Sequence, residues 1–378
     1  MASSSRLASS SSPSTLPQSV YNPRRHVGVH KEYVSDVSNT EYPGHHPGED
    51  HSWNLQKFQE NLRVDVKRLS QRSIEFDLVG VDASIANAFR RILIAEVPTI
   101  AIEHVYVFNN TSVMQDEVLA HRLGLIPLNV DPALMDMRTL TGPNASPNDR
   151  NTLVFQLKVN CTRAPGAKKG SNEYVHDTVT SGDLVWVPQG EQESAFARNP
   201  PAPTNKDIVL VKLRPGQEID MEVHAIKGVG KEHAKWSPVA TASYRLHPLI
   251  VLNPEKPIPP HLSEKFAKCF SPGVVKIDKD GKVSIDEAGM RKDSVSREVL
   301  RHKEFEGSVK LMRIRDWFIF NVESEGAYVP ERLFLESIKV MREKIATIKQ
   351  AAEGLMSPSD GEPSFVAARD GDVEMADS

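Results

Sequence analysis

The sequence predicts an α+β protein, and three observations predict it. An amphipathic helix pattern lies near residue 90, alternating strand patterns fill the middle, and a long heptad-like helix pattern lies near the C-terminus. The chain has 378 residues, which suggests two or three domains. Its 39% apolar and 25% charged residues describe a soluble globular protein with a sizeable core. A net charge of −4 argues against a free-standing nucleic-acid binder, which is usually basic. The two cysteines, Cys161 and Cys269, can form no disulfide framework and fit no metal spacing, so the chain reads as intracellular and reduced. No apolar run reaches roughly 18 residues, so no membrane-spanning helix is expected.

Residues 1–50 are rich in Ser, Pro, His and Gly and read as a flexible arm. The first twenty residues lack the continuous apolar core of a signal peptide. "FDLVGVD" at 76–82 is strand-like, and Asp82 can cap the helix that follows. In that helix Ile85, Ala88, Phe89, Ile92 and Leu93 form one apolar stripe. Asn87, Arg90 and Arg91 fall on another side, and Pro98 stops the helix. "IAIEHVYVF" (100–108) alternates like a strand. "TLVFQLKVN", "DLVWVP", "DIVLVKL" and "EIDMEVHAI" continue a β-rich middle. After a polar stretch from 254, "SVKLMRIRDWFIFNVES" returns to alternation, with Phe318, Phe320 and Val322 on one face.

The last helix starts with Pro330 in its first turn and ends near Gly354. Phe334, Ile338, Met341, Ile345 and Ile348 are spaced 4, 3, 4, 3, a heptad-like seam. Leu333, Leu335 and Val340 lie off it, so more than one face is apolar. Pattern alone leaves two readings: a core helix on its own sheet, or a helix with one face against another chain. Residues 353–378 carry seven acids against Arg369 alone and read as an acidic disordered tail.

Motifs of catalysis are not found. "KGVGKEH" (227–233) has too few glycines for a phosphate loop and reads as a tight turn. His45, His46 and His51 have no scaffold to fix them on a metal. "KIDKDGKVSIDE" resembles a calcium loop, but Lys276 occupies the first ligand position. A hairpin over Asp280-Gly281, pairing Val275 and Ile277 with Val283 and Ile285, explains the pattern better.

"VDASIANAFRRILIAEVPTIAIEHV" closely resembles the first helix region of the RNA polymerase alpha family. "VMQDEVLAHRLGLIPL" (113–128), "KGVGKEHAKWSPVATASY" (227–244) and "FIFNVESEGAYVPERLF" (318–334) resemble its eukaryotic and archaeal branch, in the family's order. The RNA polymerase II form carries four zinc-binding cysteines in its inserted domain, where only Cys161 stands here. Archaeal forms can hold iron–sulfur clusters in the later insertion, where only Cys269 stands, and one thiolate cannot hold a cluster. Both departures make the chain most similar to the alpha-like form shared by RNA polymerases I and III. The alternatives that remain are a polymerase II form that has lost its zinc and an iron–sulfur or redox protein.

The resemblance implies a split dimerisation domain, a sheet plus two helices built from residues 55–104 and 308–352. A β-rich domain (105–253) and a ferredoxin-like insertion without its cluster (254–307) would lie between the halves. It implies a non-catalytic nuclear and nucleolar assembly subunit with no cofactor. Such a subunit pairs with a smaller alpha-like subunit, then presents a platform to the second-largest and other polymerase subunits. It meets DNA only through the complex. On this reading Ile85, Phe89, Ile92, Leu93, Phe334, Ile338, Met341, Ile345 and Ile348 form the dimer interface. Asn87, Arg90 and Arg91 would contact a large subunit, the alternative for the arginines being a solvated face.

Overall fold

The computed structural model describes residues 22, 25–37, 52–138, 145–166 and 174–356. The histidines at 45, 46 and 51 and the acidic segment from 357 onward lie outside the described residues. In chain order the elements are β1 (His26–Val29), β2 (Val34–Ser35), α1 (Leu55–Asn61), β3 (Arg63–Leu69), β4 (Ser73–Val79), α2 (Ala83–Ala95) and β5 (Thr99–Asn110). Then come α3 (Asp116–Gly124), β6 (Thr152–Asn160), β7 (Thr162–Arg163), β8 (Tyr174–Val175), β9 (Thr178–Thr180), β10 (Leu184–Val187), α4 (Gln192–Ala195) and β11 (Val209–Lys212). The last third holds β12 (Glu218–Gly228), β13 (Val239–Leu252), α5 (Ser263–Lys268), β14 (Val275–Ile277), β15 (Val283–Ile285), α6 (Glu287–Met290), β16 (Val309–Ser324) and α7 (Pro330–Met356).

β16 organises the main sheet. β13 runs antiparallel along one side of it. On the other side β1 pairs with residues 311–314 and β4 with residues 317–323. β2 and β3 extend these two neighbours outward. The alternation of β16 points Phe318, Phe320 and Val322 at the face covered by α2 and α7. There they bury with Ile74, Phe76, Leu78, Leu93 and Leu333.

A second sheet, in the order β10-β6-β12-β5, packs its own core around Phe155, Met221 and Val223, with α3 contributing Leu119 and Leu123. A third core forms where residues 254–307 fold onto β1 and the adjoining ends of β13 and β16. Phe266, Phe270 and Phe305 fill it, with Val29, Leu249 and Leu311.

The sequence-derived boundaries shift in four places. β1 and β2 fall inside the expected arm, yet Val27 and Val29 are buried against β16. Four residues are too few to display a period, and an open edge on β16 orders them. β5 begins at Thr99 and pairs with β12, so 99–104 belongs to the second sheet rather than to the split domain. β13 lies within the expected 105–253 insertion but belongs to the main sheet, because it aligns its apolar residues with those of β16. α7 continues to Met356, and Gly354 is helical instead of ending it. The Asp280-Gly281 hairpin forms in the expected register, with Val275 opposite Ile285 and Ile277 opposite Val283. Gly281 takes φ 74°, which its missing Cβ permits.

Candidate subunit interface

Asp82 caps α2 as its position predicts, its Oδ1 accepting from the Ser84 N–H at 2.8 Å. The far end of α2 is closed by the loop that contains Gly230: the Lys231 N–H donates to the Ala95 carbonyl at 2.8 Å. A Cβ at Gly230 would stand 2.3 Å from the Ile94 carbonyl oxygen. Of the glycines of "KGVGKEH", Gly230 therefore serves close approach of backbone to backbone, and Gly228 leaves room for the Trp236 ring.

The stripe predicted on α2 divides. Ile92 and Leu93 are buried in the chain's own core. They have no surface left for a partner, which corrects their assignment to the dimer interface. Apolar spacing finds a buried stripe but does not say what buries it. Ile85 and Phe89 lie at the rim of that core, only partly covered. Phe334 of α7 sits against Phe89 at 5.1 Å and against Phe76 of β4 at 4.9 Å, joining both helices to the sheet.

α7 changes environment along its length. Leu333 and Ser337 are fully buried, and Phe334, Ile338, Val340 and Met341 are partly covered. From Arg342 onward every described side chain is exposed. Ile345 is 59% exposed and Ile348 68% exposed. The period continues past the predicted stop through Ala352 to Leu355, which is 78% exposed. Leu335, on a neighbouring side, is also exposed. A 27-residue helix thus holds itself by its first three turns and projects an apolar seam beyond the sheet.

Ion pairs fix its direction. Arg332 reaches Asp131 at 2.7 Å and Glu336 at 2.8 Å, and Lys344 reaches Glu96 at the end of α2 at 2.8 Å. Burial pushes the Asp131 carboxyl up, but hydrogen bonds from Arg332 and the Ala133 N–H outweigh it and leave the group below its ordinary range. The Tyr328 hydroxyl donates to the Pro98 carbonyl at 2.9 Å, fastening the turn before α7 to the turn after α2.

The polar side of α2 holds Asn87, Arg90 and Arg91. The Arg90 Nε and Nη2 both donate to the Asn87 Oδ1, at 3.1 and 2.9 Å. This fork holds the guanidinium flat on the helix and leaves its other N–H groups free to bind. Arg91 is exposed and makes no ion pair with a described residue. Sequence spacing put Asn87 and Arg90 on one side of the helix, but it did not reveal that one orders the other.

A cation that sequence reading missed lies under the 254–307 segment. Arg291 reaches Glu75 at 2.8 Å and the buried Asp77 at 2.6 Å, clamping that segment onto the outer face of the main sheet. An isolated "MRKD" carries no signal for this. Among the described residues no group of three or more His, Cys, Asp or Glu could hold a metal. No described helix is long and apolar enough to cross a membrane.

A β-sheet with two helices on one face, one of them projecting an uncovered seam, defines a protein built to pair. Residues 75–345 match the family described as the RNA polymerase Rpb3/Rpb11 dimerisation domain. The chain is 48% identical over 334 residues to the DNA-directed RNA polymerases I and III subunit RPAC1 of Saccharomyces cerevisiae, covering 85% of this chain and 97% of that one. It is 46% identical over 332 residues to the subunit of the same name in Homo sapiens, covering 86% and 95%. Against the DNA-directed RNA polymerase II subunit rpb3 of Dictyostelium discoideum identity falls to 34% over 313 residues, covering 78% and 96%. The chain belongs to the Rpb3/Rpb11 dimerisation-domain family of alpha-like RNA polymerase subunits.

Proposed function

We propose that this chain is the non-catalytic alpha-like subunit that RNA polymerases I and III share. One observation carries the reading: identity is 46–48% to subunits of polymerases I and III and 34% to a polymerase II subunit, each over nearly the whole relative. The lone Cys161, buried in the second core, and the lone Cys269 agree with an insertion that holds neither zinc nor an iron–sulfur cluster. The 254–307 segment is read as the ferredoxin-like insertion.

The mechanism is assembly. A smaller alpha-like subunit covers the α7 seam of Ile338, Met341, Ile345, Ile348 and Leu355, with Ile85, Phe89 and Phe334 at its near end. Burying this seam drives pairing, because apolar surface removed from water contributes about 25 cal/mol per Å². The paired chains then present Asn87, Arg90 and Arg91 to the second-largest subunit, where guanidinium groups can bind carboxylates bidentately. Polymerisation takes place on other chains, in the nucleus and, for polymerase I, the nucleolus. DNA is met only through the complex.

Affinity purification of the tagged full-length chain tests this. The large subunits of both polymerases I and III are expected to co-purify. Recovery of the polymerase II large subunits instead would overturn it.

A further inference from the structure

The main sheet carries three apolar rows that cross it strand by strand on the helix-covered face. They run Ala242–Val322–Ile74–Leu69, Tyr244–Phe320–Phe76–Val66 and Leu246–Phe318–Leu78–Val64. The β16 and β4 members of all three are buried. At β3 every row emerges into solvent: Leu69 is 50% exposed, Val66 56% and Val64 47%. The helical cover is the cause. α2 packs over β13 and β16, and α7 over β16 and β4, so β3 lies beyond both.

β3 is also an edge strand. It pairs with β4 alone, so its outer backbone groups are open among the described residues. A strand that met only water would carry polar side chains on this face. Its charged residues lie elsewhere: Asp65 pairs with Arg63 at 2.8 Å, and neither belongs to the three rows. Trp53 lengthens the strip towards α1, lying 4.9 Å from Phe58, which packs on the same core.

We infer that the β3 strip of Val64, Val66 and Leu69 is a second part of the partner contact, covered by the same smaller alpha-like chain that covers the α7 seam. The inference rests on the reading of that seam given above. Continuity carries it: Val66 lies opposite Phe76, Phe76 lies against Phe334, and Phe334 begins the seam. Cover laid on the seam therefore meets, at its near end, an apolar floor that runs on to the open edge. An apolar surface of this kind on a chain of a dimerisation family marks a site of association.

The full-length chain is co-expressed with the smaller alpha-like subunit and purified through a tag on one of them. Val64→Lys with Val66→Lys is expected to lower the recovered partner at least tenfold. Ile345→Asp with Ile348→Asp should do the same, both variants keeping the circular dichroism of the parent. Hydrogen exchange of the unaltered chain, alone and paired, needs no variant to fold: the amides of 63–69 should become protected on pairing. If the seam variant loses the partner while the β3 variant keeps it within twofold, the strip proposal is overturned and the seam stands. Unchanged exchange at 63–69 overturns it as well. If both variants pair normally, the seam reading itself is wrong.

Discussion

His247 on β13 is enclosed by Trp317, whose ring centroid is 4.2 Å away, and lies near Asp77, Arg291 and Arg245. Burial pushes its pKa down from 6.5 to about 4, against the opposing pull of Asp77. The imidazole is therefore neutral in the folded chain at pH 5 to 6, where the unfolded chain binds a proton. Its full stability is present above 6.5 and is lost as pH falls from 6.5 towards 4, by an amount on the order of 3 kcal/mol. His247→Gln should flatten the dependence of the unfolding midpoint on pH across that window, and an unchanged slope would show that His247 does not set it. Arg90 and Arg91 make a different kind of prediction. Neither has a carboxylate partner among the described residues, so Arg90→Glu with Arg91→Glu should leave folding within about 0.5 kcal/mol, as surface changes do. Recovery of the smaller subunit should be unaffected, while capture of the second-largest subunit falls. Retention of the large subunit at parental levels would leave the arginines a solvated face. All three residues could be read from sequence as chemical types. Only Arg90 and Arg91 could be placed, since helical spacing fixes a side, whereas the burial of His247 depends on Trp317, seventy residues away.

α2 and α7 were legible as helices from their apolar periods, together with the Asp82 cap of α2 and Pro330 in the first turn of α7. Their partners were not, because a period records only that a face is covered. Ile92 and Leu93 turned out to meet their own sheet, while Ile345 and Ile348 stay largely exposed among the described residues. Met341 stands between these cases, partly covered by the core. The loop at 227–233 also shows the limit of local reading. It forms a turn as expected, but its Gly230 answers to α2, more than a hundred residues earlier. Gly230→Ala would drive a Cβ into the Ile94 carbonyl, which as backbone cannot swing aside. Such overpacking costs about 1–3 kcal/mol. It would also disturb the Lys231 N–H bond that closes the end of α2. A denaturant midpoint lowered by that amount is expected, and an unchanged one would mean that the loop moves away freely.

At the scale of the whole molecule, one strand, β16, pairs with three others and joins two of the three cores. Its second half joins β4 beneath the paired helices, and its first half joins β1 beneath the 254–307 segment. The alternation of β16 was visible in the sequence. The role of β1 was not, because "HVGV" sits among residues whose composition reads as an arm. The structure makes it part of a core. Val27 and Val29 are buried, Val29 packs with the cluster of Phe266, Leu249 and Ile314, and β1 closes an edge of β16 at residues 311–314. Fully burying a valine contributes roughly 1.5–3 kcal/mol, so removing both costs several. Opening the β16 edge also returns its backbone groups to water. A chain trimmed to 38–378 should consequently melt several degrees lower than the full chain, at about 2–4 °C per kcal/mol for a unit of 150–250 residues. The loss should be local. Hydrogen exchange should quicken in 254–314, while α2 and the second half of β16 keep their protection. Trimming to 22–378 removes no described strand and should leave the melting temperature unchanged. If the 38–378 chain melts with the full one, β1 contributes nothing to that core and residues 1–37 are an arm after all.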